Sequence, residues 1–492
     1  MHSRLLIALT LFAALAVAAC SGPAAGEKPA ASGDWPMFGG APARNMVNLA
    51  ARGIPTDWGT KAGGKNVKWV INVPGGLGGN YVPPAVAGGQ VYVATSNNGK
   101  TPRDPKVKGP KAVMACFRQS DGQFLWQIAH DPPDSLVEAS GDKEPLLSTP
   151  VVEGDRLYYV TQGAEVICAA TRGKVVWRLD MTKELKVSVN AATFCSPLVA
   201  GDLVFAVTGN GKKYNELDKP VPEPKAPSFV AINKKTGKLA WSDNSPGEKI
   251  MEGTWASPAY AEVNGKGQVI FPGGDGWLYA FEPKDGKPLW KFDCNPKGTE
   301  FRTDSRGTRN YLMAPAVHGD RLYTAIGQQP ENGNGVGHLW CVDITKTGDI
   351  SQELEKGKPN PNSGVVWHYG GAAPKGADRD YVFGRSISTC AVHDGLVYAA
   401  EFDGFLHCFD AMTGKHLWED DVKAAIWTSP VWADGKVYMA DDSGKVHVYA
   451  HGKEKKLLND IDMEEGIKAA PVVANGVLYL LTEKHLFAIA GK

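Results

Sequence analysis

At 492 residues, with 43% apolar and 22% charged side chains, the chain has the composition of a globular protein that can fill a core. Its 53 basic and 53 acidic residues cancel, which excludes the global positive field of a nucleic-acid or anionic-membrane binder. Fifty-seven glycines and 33 prolines, with no collagen period, call for many short strands and tight turns.

The N-terminus reads as a targeting segment. Arg4 is the charged flank of an apolar run over residues 5–19 that only Thr10 interrupts. That run is short for a membrane-spanning helix and suits the core of a signal peptide. It ends Val17-Ala18-Ala19-Cys20, which resembles the lipobox of bacterial lipoproteins, where the cysteine is lipidated and becomes the mature N-terminus. The alternative is a plain signal peptide cut near Ala19. Ser21, where an aspartate would favour inner-membrane retention, points to the outer membrane. Residues 20–33, rich in Ala, Pro, Gly and Ser, read as a flexible tether, and residues 34–492 as one domain.

After a segment over residues 34–56, expected to cross the outside or one face of the fold, the chain settles into a repeat. AINKKTGKLAW, ending at Trp241, is a strand, a charged turn and a second strand closed by tryptophan. CFRQSDGQFLW ends at Trp126, ICAATRGKVVW at Trp177, AFEPKDGKPLW at Trp290 and CFDAMTGKHLW at Trp418. A looser copy begins at Cys341, where an insertion delays its tryptophan to Trp367. Where nothing intervenes the tryptophans are roughly 50 residues apart, the period of a solenoid or propeller. A second phrase opens each unit, a small residue or proline, an apolar strand and a Gly turn, as in STPVVEGDRLYYV from Ser148 and TSPVWADGKVYMA from Thr428. It occurs eight times. Each unit supplies strands A to D, and apolar and polar residues alternate as strands require. The eighth unit ends before its fourth strand, while the segment from Val67 to Val73 resembles a strand D with no partners. Pairing the two closes the ring and removes the open edge. The prediction is an all-β, eight-bladed propeller of four-stranded antiparallel blades.

Seven cysteines follow Cys20. Cys116, Cys168, Cys341 and Cys408 share one position in their repeats and read as small core residues rather than redox centres. Neither CxxC nor CxxCH occurs, so zinc-ribbon and covalent-haem sites are not indicated.

The TGKxxW unit in eightfold array resembles the repeat of quinoprotein dehydrogenases, which bind pyrroloquinoline quinone (PQQ). It is also similar to the propeller lipoproteins of the outer-membrane β-barrel assembly machinery. The opening DWPMFGG at residues 34–40 is similar to the start of many PQQ-like repeat proteins. The enzymatic branch implies an adjacent Cys-Cys pair and a Glu, Asn and Asp around calcium. No adjacent cysteines occur here. Asn210, in Thr208-Gly209-Asn210, matches the context of the Asn, either as that ligand or as a loop residue with positive φ. Counterparts for the Glu and Asp are not recognisable, which leaves a hard cation short of carboxylates.

Predicted A–B and C–D turns are tight, while the long connections (97–111, 211–228, 328–337, 131–145, 182–190, 294–310 and 371–385) are all B–C or D–A and project from one face. Binding usually resides on such loops. Arg302, Asp304, Arg306 and Arg309 lie in one of them and Arg385 in another. These guanidinium groups either converge on an anionic ligand or pin their own loops through neighbouring aspartates. Three residues before each opening proline, or Cys390 in its place, stand Tyr81, Leu147, Phe194, Trp255, Leu312, Ile387, Trp427 and Lys468, with Trp255 and Trp427 as a candidate stacking platform. No Ser-His-Asp order, HExxH or Walker loop supports hydrolysis. The expected function is a non-enzymatic, lipid-anchored module on the periplasmic side of the outer membrane, binding a protein partner or small ligand and needing no cofactor. The alternative is a PQQ- and calcium-dependent dehydrogenase using the same face.

Overall fold

The computed structural model describes residues 33–75, 79–97, 107, 111–133, 145–189, 194–213, 216–253, 256–297, 310–328 and 335–491. The charged turn and its tryptophan build the ring. In every blade the C–D ladder slips by one residue beside that tryptophan, or beside Asn459, which stands in its place in blade 7, as where Cys116 pairs Trp126 but Phe117 pairs Phe124. The extra residue is a bulge; it directly precedes the tryptophan or Asn459 and is apolar in every blade but the eighth, where it is Lys68. Leu125, Val176 and Leu458 are exposed for that reason. The bulge turns the indole toward the next blade. Trp69 Nε1 donates to the Gln119 carbonyl at 3.0 Å, Trp126 to Thr171 at 2.9 Å, Trp177 to Lys234 at 3.0 Å and Trp241 to Pro283 at 2.8 Å. Each acceptor belongs to the following blade's charged turn. The glycine of that turn sits under the ring: a Cβ on Gly237 would meet Trp177 at 2.7 Å, and its φ is +72°. Only glycine satisfies both demands.

The repeats give eight blades, each with strands A to D from the channel outward, as predicted. The last blade is Val472–Ala474, Val477–Leu481 and His485–Ile489, closed by Val67–Asn72 in antiparallel register from Val67↔Ile489 to Asn72↔His485. The four equivalent cysteines each pair with their own blade's tryptophan and are buried free thiols, the core role expected of them.

One feature departs from the sequence reading. The insertion in blade 5 is a long C–D excursion on the opposite face. Its Gly348–Asp349 pairs in parallel with strand D of blade 4 (Pro288–Asp293), and Glu353–Glu355 forms a hairpin with Lys358–Pro359. With that turn displaced, Trp290 donates to Gln268 Oε1 at 2.6 Å, and Gln268 Nε2 passes the contact to the Ile344 carbonyl at 3.1 Å. The segment from residue 34 onward takes the second of its two expected courses, crossing one face, where it runs around the channel. Trp35 bridges Val86 of blade 1, Pro36 accepts from Val152 of blade 2, and Pro42 from Tyr260 of blade 4. Ala43 bonds Val317 of blade 5, Asn45 bonds Val392 of blade 6, Val47–Asn48 pairs Val431–Ala433 of blade 7, and Asn48 reaches Val473 of blade 8. Blade 3 is reached by the fully buried Arg44, whose guanidinium donates to the carbonyls of Ser196, Pro197, Pro258 and Phe38. This strap closes the channel at the end bordered by the A–B turns. Gly39 and Gly40, at φ +74° and +75°, allow it to fold back, since a Cβ there would strike the Arg44 backbone and the Trp35 ring.

Several histidines are sealed between blades. Burial pushes His130, His338 and His368 down from 6.5 to about 4, with His368 also repelling His338. They stay neutral where the unfolded chain takes up protons. Their stabilisation is therefore complete above pH 6.5 and is lost as the pH falls toward 4, at about 1.4 kcal/mol per unit for each. For His447 burial is outweighed by Asp441 and Asp460, and its pKa rises, so it acts in the opposite sense. Burial also lowers His393, His416 and His451, so with six described histidines against one, urea midpoints are expected to fall between pH 6.5 and 4.5, and His338→Gln should flatten that slope.

Candidate functional site

With the strap at one end, the accessible end of the channel is the one bordered by B–C and D–A connections. Residues just before strand A crowd together there. Lys468, on the approach to blade 8, places its ammonium 5.1 Å from the ring centres of both Tyr81 and Trp427, which meet edge-on at 6.0 Å. The two aromatics flank one cation from blades on either side of it. Trp427 also packs edge-on against Phe402 at 5.0 Å, and the Arg385 guanidinium lies over Phe402 at 4.4 Å. Burial and the neighbouring Asp441 raise the Asp442 carboxyl, against Lys468 and a hydrogen bond with the Trp427 side chain.

Beneath this lies a charged layer. Arg385 is 3% exposed, and its Nη2 is 3.5 Å from Asp403 Oδ1, with Tyr381 donating to the other oxygen of Asp403 at 2.7 Å. Arg379 pairs with the fully buried Glu401, to which His407 Nε2 is hydrogen-bonded at 2.8 Å. Burial pushes the Glu401 carboxyl up, but His407 and Arg379 outweigh it and hold it below the usual range. Arg379 and Arg385 thus bind acids of the next blade's B–C loop rather than Asp378 or Asp380 beside them. The loop is pinned across blades.

The predicted residues separate into two places. Arg385 and Trp427 join one mouth cluster. Trp255, Arg302, Asp304, Arg306, Arg309 and the anchor Cys20 lie outside the described residues. Asn210 belongs to blade 3, where its Oδ1 accepts from Ser188 N–H at 3.0 Å and its Nδ2 donates to the Glu223 carbonyl at 3.0 Å. Gly209, not Asn210, takes the positive φ, at 77°. This amide is engaged at both ends within the chain, and the sequence has no adjacent cysteines. Sequence reasoning missed Phe402, Glu401 and His407, because no repeat phrase marks the B–C loop; the recurrence of an acid six residues before a histidine, at Asp441 and His447, was the available signal. A second concavity of about 410 Å³ lies on the outer flank, lined by Trp277, Lys291 and Asp349 among others.

The sequence model of the family described as "Outer membrane protein assembly factor BamB" matches residues 110–361, 360–455 and 403–490. The chain belongs to this family. It is 22% identical over 416 residues to BamB of Bordetella pertussis, covering 83% of each chain. Quinoprotein alcohol dehydrogenases of Pseudomonas putida also stand among the sequence relatives. Two of the solved structures that share the fold illustrate this. BamB from Moraxella catarrhalis is similar at TM-score 0.56 and 15% identity, covering 86% of this chain and 98% of that one. A europium-containing methanol dehydrogenase is similar at 0.61 and 14%, covering 91% and 89%. The fold is common to both branches, so it does not choose between assembly factor and enzyme.

Proposed function

We propose that this chain is a non-enzymatic, lipid-anchored interaction module acting in outer-membrane protein assembly from the periplasmic side, and that it binds a protein partner through the loop-bearing face. The observation that carries this reading is the mouth cluster. Trp427, Tyr81 and Phe402 are partly exposed around Lys468, while the charges beneath them are already paired within the protein. Aromatic anchors on a pinned platform suit protein recognition, where Trp and Tyr dominate binding energy. Membership of an assembly-factor family supports the same direction.

The second reading, a PQQ-dependent dehydrogenase, is supported by the quinoprotein relatives. Adding PQQ and calcium to purified protein and recording the visible spectrum separates the two. The module reading expects no bound-quinone absorbance.

Anchoring is tested on Cys20. Expressed in a Gram-negative host, Cys20→Ser is expected to lose lipid labelling and to leave the membrane fraction. Continued labelling of the variant would rule out the lipoprotein assignment.

A further inference from the structure

Blade 6 carries a side-chain cluster that shares only His407 with the charged layer beneath the mouth. On the face that strands Phe405–Asp410 and His416–Asp421 turn toward blade 5, His407 Nδ1 lies 3.1 Å from His416 Nε2 and 3.4 Å from Glu419 Oε2, and the latter two atoms are 3.7 Å apart. Among the described residues this is the one group of three metal-ligating side chains that converges in this way. We propose that His407, His416 and Glu419 form a binding site for a divalent transition cation of the zinc type.

Three observations support it. A tetrahedral cation with ligands at 2.0–2.1 Å holds them about 3.3 Å from one another, and the three separations bracket that value. The second concerns tautomers. Glu401 accepts from His407 Nε2 at 2.8 Å, which leaves the Nδ1 lone pair directed at the cluster. A carboxylate behind a ligating histidine is the usual outer support of a zinc site. The His416 ring is itself held by a hydrogen bond with the Trp418 backbone, which fixes its orientation.

The third observation is an internal control. Blade 7 has the same acid–histidine pair, Asp441 and His447, and an acid at the register position of Glu419, Asp460. There His447 Nδ1 and Asp460 Oδ1 close into an ordinary hydrogen bond of 2.6 Å. Leu457 stands where blade 6 has His416, each pairing the residue two after its histidine. The structural pair is thus a general feature of the repeat, and blade 6 adds a second imidazole while opening the acid to 3.4 Å. Tyr369 of blade 5 stacks on His416 at 5.3 Å and covers one side. Glu419, 45% exposed in its side chain, leaves an entry path and a fourth position for water.

The experiment uses the full mature chain, stripped with chelator and titrated with Zn²⁺ alone by calorimetry and with Co²⁺ alone by visible absorption. One Zn²⁺ per chain is expected, with tetrahedral Co²⁺ bands of nitrogen–oxygen type. His416→Asn and Glu419→Gln, both at solvent-accessible positions, should each weaken binding 10–100-fold, while His447→Asn leaves it unchanged. Thermal unfolding of the apo variants checks that they remain folded. Lack of stoichiometric uptake, uptake unaltered by either substitution, or the sulfur-to-cobalt bands of a cysteine site would overturn the proposal.

Discussion

Deleting residues 21–72 is expected to abolish soluble, cooperatively folded protein, whereas deleting residues 21–32 leaves thermal unfolding where it is. The first deletion removes two closures at once. Strand D of blade 8 goes, with its ladder to His485–Ile489 and the Trp69 indole that donates to blade 1, so a hydrophobic strand is left as a bare edge. The strap goes as well, and with it the partners of inner strands from all eight blades. Arg44→Met isolates the strap's share. It leaves four carbonyls without their donor in the closed channel, at about 1–3 kcal/mol for each acceptor that water cannot reach. Burial lowers the Arg44 pKa to about 10, which still leaves the guanidinium charged at neutral pH as it donates to those carbonyls. We expect a loss on the order of 4 kcal/mol, about 1 kcal/mol for each of the four acceptors. Chemical denaturation with light scattering measures both effects. Equal unfolding by the two deletions would contradict the closure.

Partner capture from native membranes is expected to fall at least tenfold for Trp427→Ala, and further when Arg302, Arg306 and Arg309 are reversed to Glu. A tryptophan at the centre of an interface commonly contributes 2 kcal/mol or more, which is over tenfold in affinity. Each desolvated charged hydrogen bond lost adds about 1.5–3 kcal/mol. Arg385 is left out of the reversal, because it is buried against Asp403 and Phe402 and its reversal would disrupt the loop itself. A parallel assay follows alcohol-dependent dye reduction with PQQ and calcium, where no turnover is expected. Identical partner sets from wild type and variants, or turnover that vanishes with Asn210→Ala, would transfer the protein to the enzymatic branch.

The repeat was legible because each of its residues has a local duty. The glycine needs a positive φ, the charged residues sit in a turn, and the apolar residue before the tryptophan fills a bulge. Such demands are written within about ten residues, so they recur visibly in the sequence. Blade count and ring closure follow from the same pattern, since an unmatched strand at each end has one partner available. The strap was not legible. DWPMFGGAPARNMVN has no strand alternation, and its bonds to the blades reach residues 51 to 441 positions away, as from Trp35 to Val86 and from Asp34 to Asn475. Nothing local in the sequence marks such a contact.

Site residues divide along the same line. The positions before each proline were found by register, and their placement before the inner strands follows from that register. That Tyr81, Lys468 and Trp427 touch depends on the ring bringing residues 81 and 468 together. Arg385 reads as one more loop arginine in the sequence, and only the packing of blade 5 on blade 6 buries it over Phe402. Likewise His407, His416 and Glu419 are two strands' worth of ordinary residues until the C–D bulge, set by the repeat, turns His416 onto the face of His407. Short-range periodicity determined the architecture; side-chain chemistry that crosses blades was decided by the closed ring.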